Sequence, residues 1–123
     1  MRQKEERATP AGSAAGLRFA LVVSGFNHEI TDKLASGARG ALTEAGAAAI
    51  DVDEISVPGA FELPQAARAA AETGRFDAIV CLGCVIRGAT PHFEYISAAV
   101  AHAIQGAAGE TGVPMRPVCS PQS

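Results

Sequence analysis

Short apolar runs alternate along this chain with longer stretches whose apolar residues recur every three or four positions. "LRFALVV" (17–23), bounded by Ser24-Gly25, has the length and continuity of a strand buried on both faces. "NHEITDKLASGARGALTEAG" then predicts a helix, with Asn27 at its N-cap and Glu29 and Asp32 at its positive end. Its apolar face is Ile30, Leu34, Ala38, Ala41 and Leu42, and Gly46 stops it. "IDVDEISV" (50–57) is a second strand closed by Pro58-Gly59, and "LPQAARAAAETG" a second helix, with Pro64 in its first turn and Gly74 past its end. "DAIVCLG" (77–83) is a third strand. "PHFEYISAAVAHAIQGAAGETG" is a third helix, burying Phe93, Ile96, Val100, Ala103 and Ile104 and stopping at Gly112.

Strand alternating with helix predicts an α/β fold: an open, mostly parallel sheet wrapped by helices. Right-handed crossovers put every strand-to-helix turn on one edge of that sheet, the edge where such folds bind ligands. Three turns meet there: "SGFN" (24–27), "PGAFELP" (58–64) and "GCVIRGATPH" (83–92).

Composition narrows the function classes. The 123 residues allow one small domain, and a net charge of -3 argues against a nucleic-acid or anionic-membrane surface. No apolar run approaches the roughly 18 residues of a membrane span. The opening "MRQKEERATPAGSAAG" has no apolar core of a secretory signal and reads as a disordered tail, 1–16. Cys81, Cys84 and Cys119 are odd in number, and Cys81 of the C-x-x-C lies inside an apolar run, which disfavours redox or zinc roles. A reducing cytoplasm is the simplest home, and no metal is expected.

Each polar group at the turns has two readings. Gly88-Ala89-Thr90 is either an ordinary helix start or an anion site, where free N–H groups and the helix dipole favour a phosphate. His92 is either a surface residue or an acid/base group titrating near neutrality. Phe26 is either a lid over the core or a stacking platform for a planar ring. Glu62 is either a helix-start acid or an acceptor for a polyol, and Arg87 reads as a solvated rim charge. His28 and His102 carry no assignment.

Taken together, "SGFNHEIT", "VPGAFELP" and "LGCVIRGATPHFEY" resemble the lumazine synthase family, in uninterrupted order from about Leu17 to Met115. The resemblance implies a flavodoxin-like three-layer sandwich without cofactor or metal, assembled as a homo-pentamer and in some members as an icosahedral shell. It implies condensation of 5-amino-6-(D-ribitylamino)uracil with 3,4-dihydroxy-2-butanone 4-phosphate in riboflavin biosynthesis, giving 6,7-dimethyl-8-ribityllumazine, phosphate and water. By the same resemblance Phe26 stacks on the pyrimidinedione, with Asn27 beside the ribityl chain. The turn Gly59-Ala60-Phe61-Glu62 holds the ribityl hydroxyls. Val85 and Ile86 offer backbone hydrogen bonds to the uracil edge, Ala89-Thr90 binds phosphate, and His92 is the catalytic proton carrier. The competing readings are a non-catalytic flavin-binding or shell-forming protein, and an inactive fragment.

After "TGVPM" the family's pattern continues into another strand, roughly "FGVLT", and further helix; here the sequence reads "RPVCSPQS". Domain-like sequence is therefore expected over 17–115, with 116–123 an unrelated tail from a truncation or frame shift. Two prolines in that octet predict that it adds no core strand, that the carboxyl-terminal strand and helices are largely missing, and that the third strand is left exposed and prone to association.

Overall fold

The computed structural model describes residues 13–86 and 93–122. Its elements are β1 (Phe19–Ser24), α1 (His28–Glu44), β2 (Val52–Val57), α2 (Leu63–Glu72), β3 (Ala78–Ile86), α3 (Phe93–Thr111) and β4 (Met115–Gln122). Short 3-10 turns, Ala49–Asp51 and Ala60–Glu62, precede β2 and α2. The sheet is parallel in the order β2-β1-β3-β4.

β1 is apolar without alternation because both of its faces are covered; every residue from Phe19 to Ser24 is buried. Ala20 and Val22 pack with β3's Ile79 and Cys81 and with the inner faces of α2 and α3, including Leu63, Ala67, Val100 and Ile104. Phe19, Leu21 and Val23 pack on the opposite face with Ala35 of α1, Val52 and Leu82. One helix therefore covers one face and two cover the other. An exposed ion pair, Arg68 to Glu110, joins α2 to α3.

The glycine stops hold: Gly46, Gly74 and Gly112 take positive φ of 110°, 74° and 78°, conformations costly for a side chain with a Cβ. Asn27 does cap α1, but it is itself left-handed (φ 55°, ψ 56°) and makes no side-chain cap bond. Two expected helix faces are rotated slightly. Ala41 and Ala103 are exposed, whereas Thr31, Ala35 and Ala107 are buried. Alanine carries too little apolar surface to fix a helix's rotation, so the larger Leu34, Leu42, Val100 and Ile104 decide it. Thr31 Oγ1 is buried without a hydrogen-bond partner, a desolvation cost of about 1–3 kcal/mol.

Three expectations need correction. Residues 13–16 belong to the fold rather than to a tail: Ala14 is buried, and its N–H donates to Ala45 O at 2.8 Å. β3 does not end at 83 but runs through Ile86, so Cys84, Val85 and Ile86 are strand rather than loop. The largest correction is β4, which pairs with β3 from Ile79↔Met115 to Ile86↔Gln122 despite its prolines. Ile79 N–H donates to Pro114 O at 2.9 Å. Main-chain groups alternate sides along a strand, so those of 114, 116, 118, 120 and 122 face β3. Pro117 and Pro121 fall on the positions facing away, where a missing N–H costs no ladder bond. Val118 packs toward the α1 face and Met115 toward α2 and α3. The third strand's edge is therefore occupied.

Cys81 is 1% exposed, and burial pushes its thiol from 9.0 up to about 12. The unfolded chain loses this proton near 9, whereas the folded chain keeps it until about 12. Stability is thus fully present below the lower value and falls as pH rises through that window, approaching about 1.4 kcal/mol per pH unit. Urea unfolding at several pH values from about 8 to about 10 is expected to show this slope, and Cys81→Ala to flatten it. Equal slopes in both proteins would show that the thiol is not the linked group.

Candidate functional site

The carboxyl ends of β1, β2 and β3 converge on one edge, with the chain leaving each strand there. β1 gives way to Gly25-Phe26-Asn27. Ser24 is buried, and its Oγ accepts the N–H of Phe26 at 3.3 Å, turning the chain outward. The Phe26 ring is consequently 49% exposed, unusual for a phenylalanine with a core beside it. Beyond Asn27, residues 27–30 line a small cleft of about 290 Å³ at the start of α1.

This turn is tied to the one after β2. Gly25 N–H donates to Val57 O at 2.7 Å, and a Cβ on Gly25 would lie only 3.4 Å from that oxygen. The second turn, Pro58-Gly59 and the 3-10 segment Ala60–Glu62, exposes Phe61 at 63% and leaves Glu62 in solvent. The Glu62 carboxylate folds back over Gly59: a Cβ there would sit 3.1 Å from Oε1. The Glu62 N–H donates to Gly59 O, closing the turn.

A missing side chain on β3 seats the second turn against that strand. A Cβ on Gly83 would stand 3.1 Å from Leu63 Cδ1 and 3.7 Å from Ala60 Cβ. Leu63 is 2% exposed, so this is a core contact, and Gly83 is the seat on which the start of α2 rests.

β3 outlasts β1. Their pairing ends at Val23↔Leu82, whereas β3 pairs with β4 as far as Ile86. By the same alternation, the main-chain groups of Val85 face β4 and those of Ile86 face the side from which β1 has already departed. Of the two residues expected to offer backbone hydrogen bonds, Ile86 is the one whose groups project past the end of β1. Arg87, Gly88, Ala89, Thr90 and His92 lie outside the described residues.

A groove of about 570 Å³ lined by Asp53, Ile55, Ala70, Thr73, Arg75 and others is the roomiest of the described clefts. It sits at the opposite end, between the start of β2 and the end of α2, and the Arg75–Asp53 ion pair at 3.1 Å lies along its wall. Its lining lacks any convergent set of reactive groups, so the strand-end edge is the better candidate. Sequence reasoning missed the parts played by Gly25, Gly59 and Gly83, though the strand-interior glycine of "CLGCV" was a visible sign of close backbone approach.

Comparison with known proteins decides the family. The 6,7-dimethyl-8-ribityllumazine synthase family model matches residues 16–117. This chain belongs to that family. A protein named 6,7-dimethyl-8-ribityllumazine synthase from Syntrophus aciditrophicus (strain SB) is 52% identical over 102 residues. One of the same name from Desulfosudis oleivorans is 53% identical over 103. These matches take in 83% and 84% of this chain and 66% of each relative, so the chain spans just under two thirds of the length of the lumazine synthases it matches. All three turns fall within the matched residues, and among the described residues no helix is long and apolar enough to cross a membrane.

If Gly83 is the seat for the second turn, Gly83→Ala is expected to lower stability by about 1–3 kcal/mol, through overpacking against Leu63. It should also shift the backbone resonances of Gly59 and Glu62. Gly37→Ala in α1, where a Cβ meets nothing within 4 Å, is the contrasting control and is expected to stabilise. Undisturbed Gly59 and Glu62 resonances in Gly83→Ala would dissociate the turn from β3.

Proposed function

We propose that this chain catalyses the family's reaction, joining 5-amino-6-(D-ribitylamino)uracil to 3,4-dihydroxy-2-butanone 4-phosphate. The observation that carries the reading is that the first two motif turns are tied together and to β3 on one sheet edge: Gly25 to Val57, and Gly83 of β3 to Leu63 and Ala60. A two-substrate condensation needs such a rigid crevice, because holding both reactants in register removes much of the entropic barrier.

Within that crevice the exposed Phe26 ring offers a face for the pyrimidinedione, with Asn27 beside the ribityl chain. Ile86 supplies main-chain donor and acceptor to the uracil edge, with Val85 holding the strand behind it. Gly59-Ala60-Phe61-Glu62 cups the ribityl group, and the exposed Glu62 carboxylate accepts from its hydroxyls. Ala89 and Thr90 bind the phosphate through N–H groups ahead of α3. His92 takes and returns protons as the 5-amino group condenses with the ketone with loss of water, phosphate departs and the ring closes with loss of a second water. None of these steps calls for a metal or cofactor. The working form is proposed to be a cytoplasmic homo-pentamer.

The test is direct: the purified chain is mixed with both substrates, and the lumazine product is followed by its absorbance. Product formation above the uncatalysed rate is expected. Phe26→Ala should weaken binding of a ribityl-pyrimidine by about 0.5–1.5 kcal/mol beyond lost area. His92→Ala should slow turnover by roughly 10-fold or more at nearly unchanged affinity. A folded parent chain that binds no ribityl-pyrimidine and forms no product would overturn the reading.

A further inference from the structure

The two edges of the sheet are finished differently. At β2 the outward main-chain positions are 52, 54 and 56, since Val57 O accepts from Gly25 of β1. Those positions are Val52, Glu54 and Ser56, and each keeps its N–H; the carbonyl of Val52 accepts from Arg39 Nη2 at 3.3 Å. At β4 the outward positions are 115, 117, 119 and 121, fixed by the Ile79-to-Pro114 bond and the register with β3. Alternate members of that row, Pro117 and Pro121, have no N–H.

We propose that Pro117 and Pro121 guard this edge, ending the sheet at β4 and preventing a second copy of the chain from adding its own strand there. An incoming strand needs a donor at every second residue of the edge it joins. Here the remaining donors, Met115 and Cys119, alternate with prolines, so every second donated bond of a ladder is lost on this edge, although its carbonyls can still accept. The same residues leave the inward ladder intact, so the guard costs the fold no strand pairing. A bystander reading, in which the prolines are merely tolerated because they face outward, predicts no change in association when they are replaced.

Sedimentation of the full chain separates the two. Replacing both residues, Pro117→Val with Pro121→Val, restores the outward N–H groups without touching the inward ones. The double variant is expected to show about a twofold or greater rise in weight-average mass over the parent at equal concentration, with protection of the 117, 119 and 121 amides from exchange. Pro117→Ser with Pro121→Ser restores the same donors without raising strand propensity, and covers the case in which the valine pair precipitates. A folded serine or valine pair with the parent's mass and unprotected amides would overturn the proposal. So would a parent chain whose Met115 and Cys119 amides are already protected in a concentration-dependent way.

Discussion

The burial of β1 on both faces is the constraint from which the rest of the architecture follows. A strand with no solvent face can have neighbours only in its own plane and helices above and below. Joining such neighbours in parallel requires crossovers, and right-handed crossovers bring the chain back to the same edge after each strand. The turn motifs are far apart in sequence, yet Gly25, Gly59 and Gly83 lie toward one sheet edge because six consecutive residues, Phe19 to Ser24, are hidden from water. Were one face of β1 open, alternation would return, hairpins would be allowed and the turns would scatter to both ends of the sheet.

β2 faces a different requirement, since it lies at an edge and must not slip. Its acids settle the register. Asp53 is on the α2 face, where Arg75 meets it at 3.1 Å, and Glu54 is on the α1 face, where Arg39 meets it at 3.1 Å. Each pair is partly exposed and worth little energy by itself. A slip of one residue would nevertheless carry both carboxylates to the wrong faces and Ile55 into the place of an acid. Specificity here comes from opposite demands on adjacent residues rather than from the strength of either pair.

Much of this was legible in the chain. The elements, their parallel order and the edge carrying the turns follow from period, length and glycine stops. The motif turns were visible as "SGFN", "PGAFELP" and "GCVIRGATPH". What escaped the pattern was position within an element. Proline in "RPVCSPQS" argued against a strand because propensity is averaged over residues, whereas a ladder asks only about the residues facing the partner. The rotation of α1 and α3 was misjudged at Ala41 and Ala103 for a related reason: alanine fits either side of a helix, so its burial is decided by neighbours it does not resemble. The glycines that lock the site were visible as letters, but the atoms that Gly83 and Gly25 make room for, Leu63 Cδ1 and Val57 O, come from other segments.

One rule of alternation governs both the tail and the crevice, and it couples them. β3 has two rows of main-chain groups, one turned toward β4 and one toward β1. On the first, β4 engages Val85 and holds the strand straight to Ile86. On the second, β1 stops short, and among the described residues no strand pairs with Ile86 on that side. The open row is useful only if the strand carrying it stays extended, and beyond Leu82 the sheet partner that keeps it so is β4. The octet that seemed foreign to the fold therefore stiffens the end of β3 from the side opposite the crevice. Losing β4's inward ladder would free Val85 as well as Ile86 and let the end of β3 fray, blurring the difference between them. That contribution of the tail to the site is carried by the shared strand.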